Sequence, residues 1–336
     1  RYASRGLGDV YKRQVLSEVT PQSSQIEKLK GQLKQRNTPE KQALFLFEMI
    51  EYQGRFNVDS CLVWCKKIIQ HNSKHPIPNI ELQAKRALGN YFTIVGKFDS
   101  AVLNYERALE LAKNIKDSVQ SALLYVDLAG SLYVLSERRA AKERLSTGIL
   151  LAKSVSNEEA LQRGYYWRGK ILRKQGEFDS SLFYSLKALE LARKLNTTEY
   201  LVRTLESVHD QYLRTGKLVE AKAYLYEAIE VAEKNEHPRM LALALLSKAA
   251  FHIGLNEMKR AIETLHRVES LTNQVGDFMS RVNFEVIWGE MYQRSGQKEE
   301  AKERFVKAHQ IAMQGGENNL LLSLTGFKLG EMERKN

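Results

Sequence analysis

The sequence predicts an all-α protein, an α-α superhelix of about seven helical hairpins. The main observation is a strict forty-residue period. A small residue recurs at Ala101, Ala141, Ser181, Ala221, Ala261 and Ala301, and a turn residue recurs at Gly96, Ser136, Gly176, Gly216, Asn256 and Gly296. Repetition at a fixed period of roughly 20–50 residues is typical of solenoids, in which each unit buries its apolar face on its neighbours. Only 5 prolines in 336 residues, and no long apolar run, agree with a helical array.

The unit that turns at Gly96 shows how each hairpin is built. Leu88 and Gly89 place a large and a small residue on a first helix, and Ala101 and Tyr105 do the same on a second, so the two helices can pack closely. Gly96 lies between them, where a tight turn favours a residue without a Cβ. Each following unit is predicted to begin at a capping residue: Asp117, Asn157, Thr197, His237 (followed by Pro238) and Asp277.

A small residue followed three positions later by a large one recurs on the first helices. The pairs are Gly89-Phe92, Ala129-Leu132, Gly169-Leu172 and Gly289-Tyr292. Together with the small and aromatic positions of the second helix, this spacing resembles the tetratricopeptide repeat over roughly residues 38 to 330. The usual period of that family is about 34 residues, so a period of forty implies longer helices. The resemblance implies a non-catalytic module that binds proteins or peptides along a concave face lined by the first helices.

The remaining segments flank these repeats. Residues 1–14 are expected to be foreign to the protein, because their SRGLGDVYKRQ stretch resembles a translated sequencing-library adapter. Residues 15–37 are predicted to form a polar lead-in and a short amphipathic helix containing Ile26, Leu29 and Leu33. We expect an irregular first repeat over residues 38–78, regular units over 79–316, and a terminal half-repeat or capping helix over 317–336.

The chain is mildly basic. Its formal net charge is +11, which falls to +8 without residues 1–14, because they hold four basic residues and one acidic residue. A protein that binds nucleic acid usually concentrates its basic residues in one patch or in a recognisable module, and neither is evident. We therefore expect no nucleic-acid partner. The sequence also contains no apolar run of about 18 residues, so no membrane span is predicted.

No motif in the sequence predicts catalysis, a cofactor or a metal. The Gly-rich phosphate loop, the HExxH zinc motif and the GxSxG nucleophile motif are all missing. Cys61, Cys65, His71 and His75 are zinc-ligand types, but a zinc finger separates its Cys and His pairs by a longer loop. The cysteines also share their helix with large apolar residues. We interpret them as small core thiols, with zinc binding as the alternative.

The predicted binding surface is the concave groove. The repeat register places these residues of successive first helices on it: Arg86, Asn90, Arg163, Tyr166, Lys170, Arg173, Lys174, Arg203, Arg214, Leu243 and Leu246. Arginine pairs well with carboxylates, and apolar helix faces suit docking. The pattern therefore predicts a protein or peptide partner with acidic residues, flanked by apolar anchors. The alternative is that the basic residues are only solvated and the leucines pack against the next helix.

One comparison within the family argues against a terminal-carboxylate clamp. Chaperone-binding tetratricopeptide domains hold such a carboxylate with Lys, Arg and Asn side chains, and Arg86, Asn90 and Arg163 fall on matching positions. Asp127 stands where the family has a second Asn, and Trp167 where it has a last Arg. Because a buried Asp would repel a ligand carboxylate, we do not expect the clamp.

Two functional settings remain open. Residues 23–49 resemble the mature start of exported tetratricopeptide sensor proteins of Bacteroidetes-type bacteria. That resemblance implies the sensor or interaction region of a bacterial signal-transduction protein, periplasmic in location, whose kinase or DNA-binding output lies outside this chain. The alternative is a free-standing cytoplasmic scaffold that assembles protein partners. The segments on either side of the chain would discriminate the two.

Overall fold

The computed structural model describes residues 38–74, 76–275, 278–314 and 319–334. All regular elements in these ranges are helices. They are α1 Pro39–Gly54, α2 Val58–Lys74, α3 Pro78–Ile94, α4 Phe98–Asn114, α5 Ser118–Val134, α6 Arg138–Ser154, α7 Glu158–Lys174, α8 Phe178–Leu195, α9 Thr198–Arg214, α10 Leu218–Lys234, α11 Pro238–Gly254, α12 Met258–Val275, α13 Phe278–Arg294, α14 Lys298–Gln314 and α15 Asn319–Arg334. None of these helices is long and apolar enough to cross a bilayer. The predicted short helix at Ile26, Leu29 and Leu33 lies outside the described residues.

Consecutive helices pair into hairpins, which we number as units one to seven, from α1–α2 to α13–α14; α15 follows as one more first helix. The all-α superhelix of about seven hairpins is thereby confirmed. From α3 to α14 every helix is 17 or 18 residues long, as the forty-residue period implies. Successive first helices also contact each other, as between α5 and α7 and between α11 and α13. The first helices therefore line the inner, concave side.

The turn inside each unit has a left-handed residue where the sequence predicts one. Gly96, Ser136, Gly176, Gly216, Asn256 and Gly296 all have a positive φ, between 62° and 84°. The next residue closes the helix: the Lys97 amide donates to the Phe92 carbonyl at 2.8 Å, and the Gln297 amide donates to the Tyr292 carbonyl at 2.9 Å. This bond pattern satisfies carbonyls that a helix end would otherwise leave free.

Four of the turns between units are also left-handed, and none of these four has a glycine at the left-handed position. Lys116, Ser156, Asn196 and Glu236 have φ between 47° and 58°. The sequence did not reveal these positions, because an ordinary L-residue occupies three of them at a steric cost. The predicted caps that follow are partly realised: Asp117 and Asn157 accept bonds from backbone amides three residues on, whereas the Thr197 side chain makes no such bond.

Replacing Lys116 with glycine is expected to stabilise the protein by about 0.5–1 kcal/mol. Glycine adopts positive φ freely, and this gain exceeds its extra entropy in the unfolded chain. The matched control is Asn196→Gly, for which we expect almost no gain, because asparagine already tolerates this conformation. The shift in the urea midpoint of the helical signal measures both changes. Equal shifts in the two variants would contradict the expectation.

Close packing inside a unit depends on the small residues. A Cβ on Gly89 would overlap the ring of Tyr105, and one on Gly289 would overlap the ring of Phe305. Ala101, Ala108 and their equivalents are fully buried between the helices. The core is consequently a continuous layer that runs along the array and not a single central core.

The superhelix meets itself after about five units. Phe278, the first residue of α13 in unit seven, lies against Gly96, the turn of unit two. Just before it, Val275 belongs to a buried apolar cluster with Val58, Cys61 and Tyr91 of units one and two. These contacts join parts of the chain about 180 to 220 residues apart, so units six and seven touch units one and two in this structure.

Candidate functional site

Asp127, on α5, anchors a buried ion network on the concave side. Its side chain is 4% exposed and pairs with two arginines. Arg86 on α3 donates from Nε to Oδ2 at 3.1 Å, and Arg163 on α7 donates from Nη1 to Oδ1 at 2.9 Å. Arg163 also pairs with Glu159 one turn earlier. Three consecutive units are thereby linked through one carboxylate.

The electrostatics of Asp127 fit this arrangement. Burial alone raises the pKa of a carboxyl. Here the charges of Arg163 and Arg86, and the hydrogen bonds they donate, outweigh burial and hold the pKa of Asp127 below its usual range. Asp127 is therefore charged and fully engaged. Arg86 and Arg163, which the sequence predicts as ligand-binding residues, are engaged with it.

A second pairing continues along the same side. Glu199, in the first turn of α9, accepts from Arg203 at 3.1 Å and from Arg239 of α11 at 2.5 Å. Burial opposes ionisation, but Arg239 and Arg203 hold the pKa of Glu199 well below its usual range. The Arg239 side chain is only 5% exposed. Arg203, another predicted groove residue, is therefore also paired inside the chain.

A third pairing holds the remaining predicted arginines. Asp210 on α9 pairs with Arg173 of α7, and it accepts from Arg214 at 3.1 Å. Burial raises the pKa of Asp210, but Arg173 and Arg214 more than compensate and lower it overall. All five predicted groove arginines thus have a carboxylate partner in the protein. They are less available to a ligand than the sequence alone indicates.

The two predicted lysines differ from the arginines. Among the described residues, no carboxylate lies within salt-bridge distance of Lys170 or Lys174. The Lys170 Nζ lies 5.7 Å from the centroid of the Tyr166 ring, and the Lys174 Nζ lies 5.6 Å from that of Tyr133. Each ammonium group therefore lies against the face of an aromatic ring, as in a cation–π interaction. We call Tyr166, Lys170, Arg173 and Lys174 the α7 basic patch.

The pKa shifts show that the potential at this patch is positive. Burial raises the pKa of Tyr166, yet the charges of Lys170, Arg203 and Arg173 lower it overall. For Lys174, burial and then the charges of Arg138 and Arg173 lower the pKa. A site that favours a phenolate and disfavours another ammonium also favours an anionic ligand group.

The other predicted positions lie in different environments. Asn90 is exposed and accepts from the Tyr105 hydroxyl at 2.8 Å. Tyr166 is 5% exposed, so little of its ring is open to a partner. Leu243 is half-buried against the core, and Leu246 is 2% exposed within it. The structure therefore corrects the expectation of apolar anchors here, because Leu246 packs between helices and cannot be reached by a partner.

Glu206, on the same side, has no cationic partner within salt-bridge distance among the described residues. One carboxyl oxygen, Oε2, is bonded to the Ser247 hydroxyl of α11. The other, Oε1, is buried and has no hydrogen-bond partner in the described structure. Burial raises the pKa of Glu206 to about 8, although Ser247 and Lys170 act against this. Glu206 is therefore a largely neutral acid at pH 7.

The cysteines lie in the core of the N-terminal units. Cys61 and Cys65 are free and buried. Burial raises the pKa of Cys61 to about 11 and that of Cys65 to about 12, so both stay protonated at neutral pH. Zinc binds thiolates, and the described residues hold no group of three or more ligands suited to a metal. His75, the fourth residue of the zinc alternative, lies outside the described residues.

Sequence reasoning missed part of the acidic half of this surface. It treated Asp127 only as a departure from a clamp, and it did not use Glu159, Glu199 or Arg239. A signal was present: Glu199 and Arg239 occupy one register, forty residues apart, and carry opposite charges. Opposite charges at equivalent positions of neighbouring first helices predict bridges between units.

Comparison with known proteins agrees with the fold. Residues 162–195 match the tetratricopeptide repeat. Tetratricopeptide repeat protein 29 of Homo sapiens is 21% identical over 210 residues, which cover 62% of this chain and 42% of that protein. The chain spans less than half the length of the curated relatives it matches.

Two solved structures share the architecture. A Rap protein complexed with competence and sporulation factor superposes with a TM-score of 0.62, at 15% identity, over 88% of this chain and 86% of that chain. The Rap conjugation gene regulator of plasmid pLS20, in complex with the Phr* peptide, gives 0.66, at 14% identity, over 82% and 75%. Such low identity shows a common fold alone. The chain is thus an α-solenoid of helical hairpins, in which residues 162–195 match the tetratricopeptide repeat.

Proposed function

We propose that this chain is a non-catalytic module that binds an acidic protein segment or peptide on its concave side. The observation that carries the proposal is the α7 basic patch, where two lysines without carboxylate partners among the described residues lie over aromatic rings. A ligand carboxylate can pair with these ammonium groups without breaking an existing bridge. Arg173 adds positive charge, although it shares Asp210 with Arg214.

The two structural neighbours add support for the class of ligand. Both were solved with a bound factor or peptide. This chain shares their helical fold, which supports a protein or peptide ligand for it as well. The identity of the ligand follows from the chemistry of the patch and not from those proteins.

Reversing both lysines, Lys170→Glu and Lys174→Glu, is expected to reduce binding of acidic peptides by at least about tenfold, since each lost charge pair near a surface contributes about 1 kcal/mol or less and repulsion adds to it. The probe is an array of acidic, neutral and basic peptides. The control reverses two exposed lysines on second helices, Lys142→Glu and Lys302→Glu, which leave the net charge equal to that of the test variant. Equal binding of acidic peptides by the two double variants would refute the proposal that the α7 basic patch binds them.

The cellular setting is a further part of the proposal. We propose the sensor or interaction region of a bacterial signal-transduction protein, on the resemblance of residues 23–49 to exported sensors. A free-standing scaffold is the second candidate, supported by the solenoid architecture. Sequencing the complete gene tests both: an export signal and an output domain support the sensor, and a short reading frame supports the scaffold.

A further inference from the structure

The turn of unit two differs from the equivalent turns of the other units. Gly96, Gly176, Gly216 and Gly296 have nearly the same φ, from 75° to 84°. A Cβ built on Gly176, Gly216 or Gly296 would meet nothing within 4 Å, whereas one on Gly96 would overlap the Phe278 ring. The repeat itself therefore does not require this contact. It exists because unit seven returns to unit two.

Next to this contact lies a small apolar cluster, and close to that cluster lie the charged side chains of Glu199 and Arg239. Val275 packs with Val58, Cys61 and Tyr91. Burial raises the pKa of Cys61, and the charges that act on it next are those of Arg239 on α11 and Glu199 on α9. Unit one thus lies near the starts of α9 and α11, where Glu199 and Arg239 pair.

The first helices of units four to six hold buried polar atoms that have no hydrogen-bond partner in the described structure. In the described residues these atoms all fall between positions 162 and 239, on or at the start of the first helices of units four to six: Gln162 Oε1, Arg163 Nε, Thr197 Oγ1, Glu206 Oε1, Gln211 Oε1, His237 Nδ1, and Arg239 Nε and Nη1. An unsatisfied buried group costs about 1–3 kcal/mol. Atoms on the inner surface would be relieved of this cost if the superhelix opened to water or to a partner.

We infer that this structure is the closed form of a clamp, held shut where Phe278 and Val275 of units six and seven meet units one and two, and that releasing this contact opens the concave side. Neighbouring units of a solenoid hold each other without long-range contacts, so opening needs no unit to unfold. The closing contact described here consists of Val275, Phe278 and Met279 against units one to three, and the buried unsatisfied atoms oppose it. The two forms therefore differ by little free energy, as a switch requires. The consequence for ligand access rests on the proposed function; the opening itself does not.

The variant Gly96→Asn tests the closing contact. Asparagine already occupies the equivalent turn of unit six, at Asn256 with φ 62°, so the turn accepts it. Its side chain would collide with Phe278. The matched control is Gly176→Asn, which makes the same substitution at the same φ in an open turn. Neither experiment needs a partner, so the outcome is separate from the binding test above.

Small-angle scattering and amide hydrogen exchange are the measurements. We expect Gly96→Asn to raise the radius of gyration and to speed exchange at least about tenfold near residues 91–96 and 278–282, while Gly176→Asn matches the unaltered protein. Phe278→Ala, which removes the ring from the other side, should open the superhelix in the same way. An unchanged radius and unchanged exchange in both Gly96→Asn and Phe278→Ala, with the helical signal retained, would overturn the inference.

Discussion

Replacing Asp127 with alanine is expected to destabilise the protein by about 3–5 kcal/mol, because two arginine side chains that are 16% and 14% exposed would lose their shared carboxylate. Removing one partner of a largely buried pair leaves two poorly solvated positive charges that only Glu159 still balances. The urea midpoint of the helical signal measures the loss. The control is Glu143→Ala: Glu143 pairs with Arg139 on an exposed surface, with side chains 64% and 93% exposed, and its loss should cost at most about 1 kcal/mol.

The pH dependence of the same group has a definite sign. The folded pKa of Asp127 lies below its usual value of 3.8. Its contribution to the free energy of unfolding is therefore complete above pH 3.8 and is lost as the pH falls through the folded pKa. The Asp127→Ala variant should lack this step in an acid titration. A loss no larger than that of Glu143→Ala would mean that the network does not hold the inner helices together.

Replacing Glu206 with glutamine is expected to stabilise the protein by about 1–3 kcal/mol at pH 9 and to have little effect at pH 5. The folded pKa is raised from 4.5 to about 8, so the folded state binds a proton that the unfolded state releases. The unaltered protein therefore loses stability as the pH rises from about 5 to 8. Glutamine has nearly the same shape as the protonated glutamate and cannot ionise, so the cost of a buried negative charge at high pH is removed.

Stability curves at pH 5, 7 and 9 check this expectation. The exposed Glu190→Gln, on second helix α8, controls for the amide substitution itself and should show no such pH-dependent gain. If Glu206 instead ionises against Lys170 in the folded protein, the glutamine variant will be less stable at every pH. That result would contradict the conclusion that the Glu206 carboxyl is buried without a compensating positive charge.

The sequence predicted the repeats and their turns because both are local. A residue such as Gly96 or Asn256 is needed for backbone geometry, and Ala101 for helix contact, so the period of forty marks the hairpin directly. The helix bounds follow from the same period. The left-handed turn at Lys116 was missed because its conformation is set by the packing of adjacent units and not by its own preference.

The binding surface was predicted less well, for a physical reason. The repeat register correctly places Arg86 and Arg163 on the concave side. It does not tell whether they form salt bridges, because that depends on the side chain that faces them from the next unit. Here that group is Asp127. The register also cannot tell a groove residue from one between helices, as Leu246 shows. The return of Phe278 to Gly96 depends on superhelical curvature summed over several units, which no single repeat encodes.

The most direct test of the proposed binding mode is a hydrogen-exchange footprint of the protein with an acidic peptide captured from the array. If the peptide binds on the concave side, it should slow amide exchange on α7 and α9, around Lys170 and Lys174. No slowing is expected there when both lysines are replaced by glutamate. Slower exchange confined to second helices, or the same footprint on the reversed variant, would contradict recognition through the α7 basic patch.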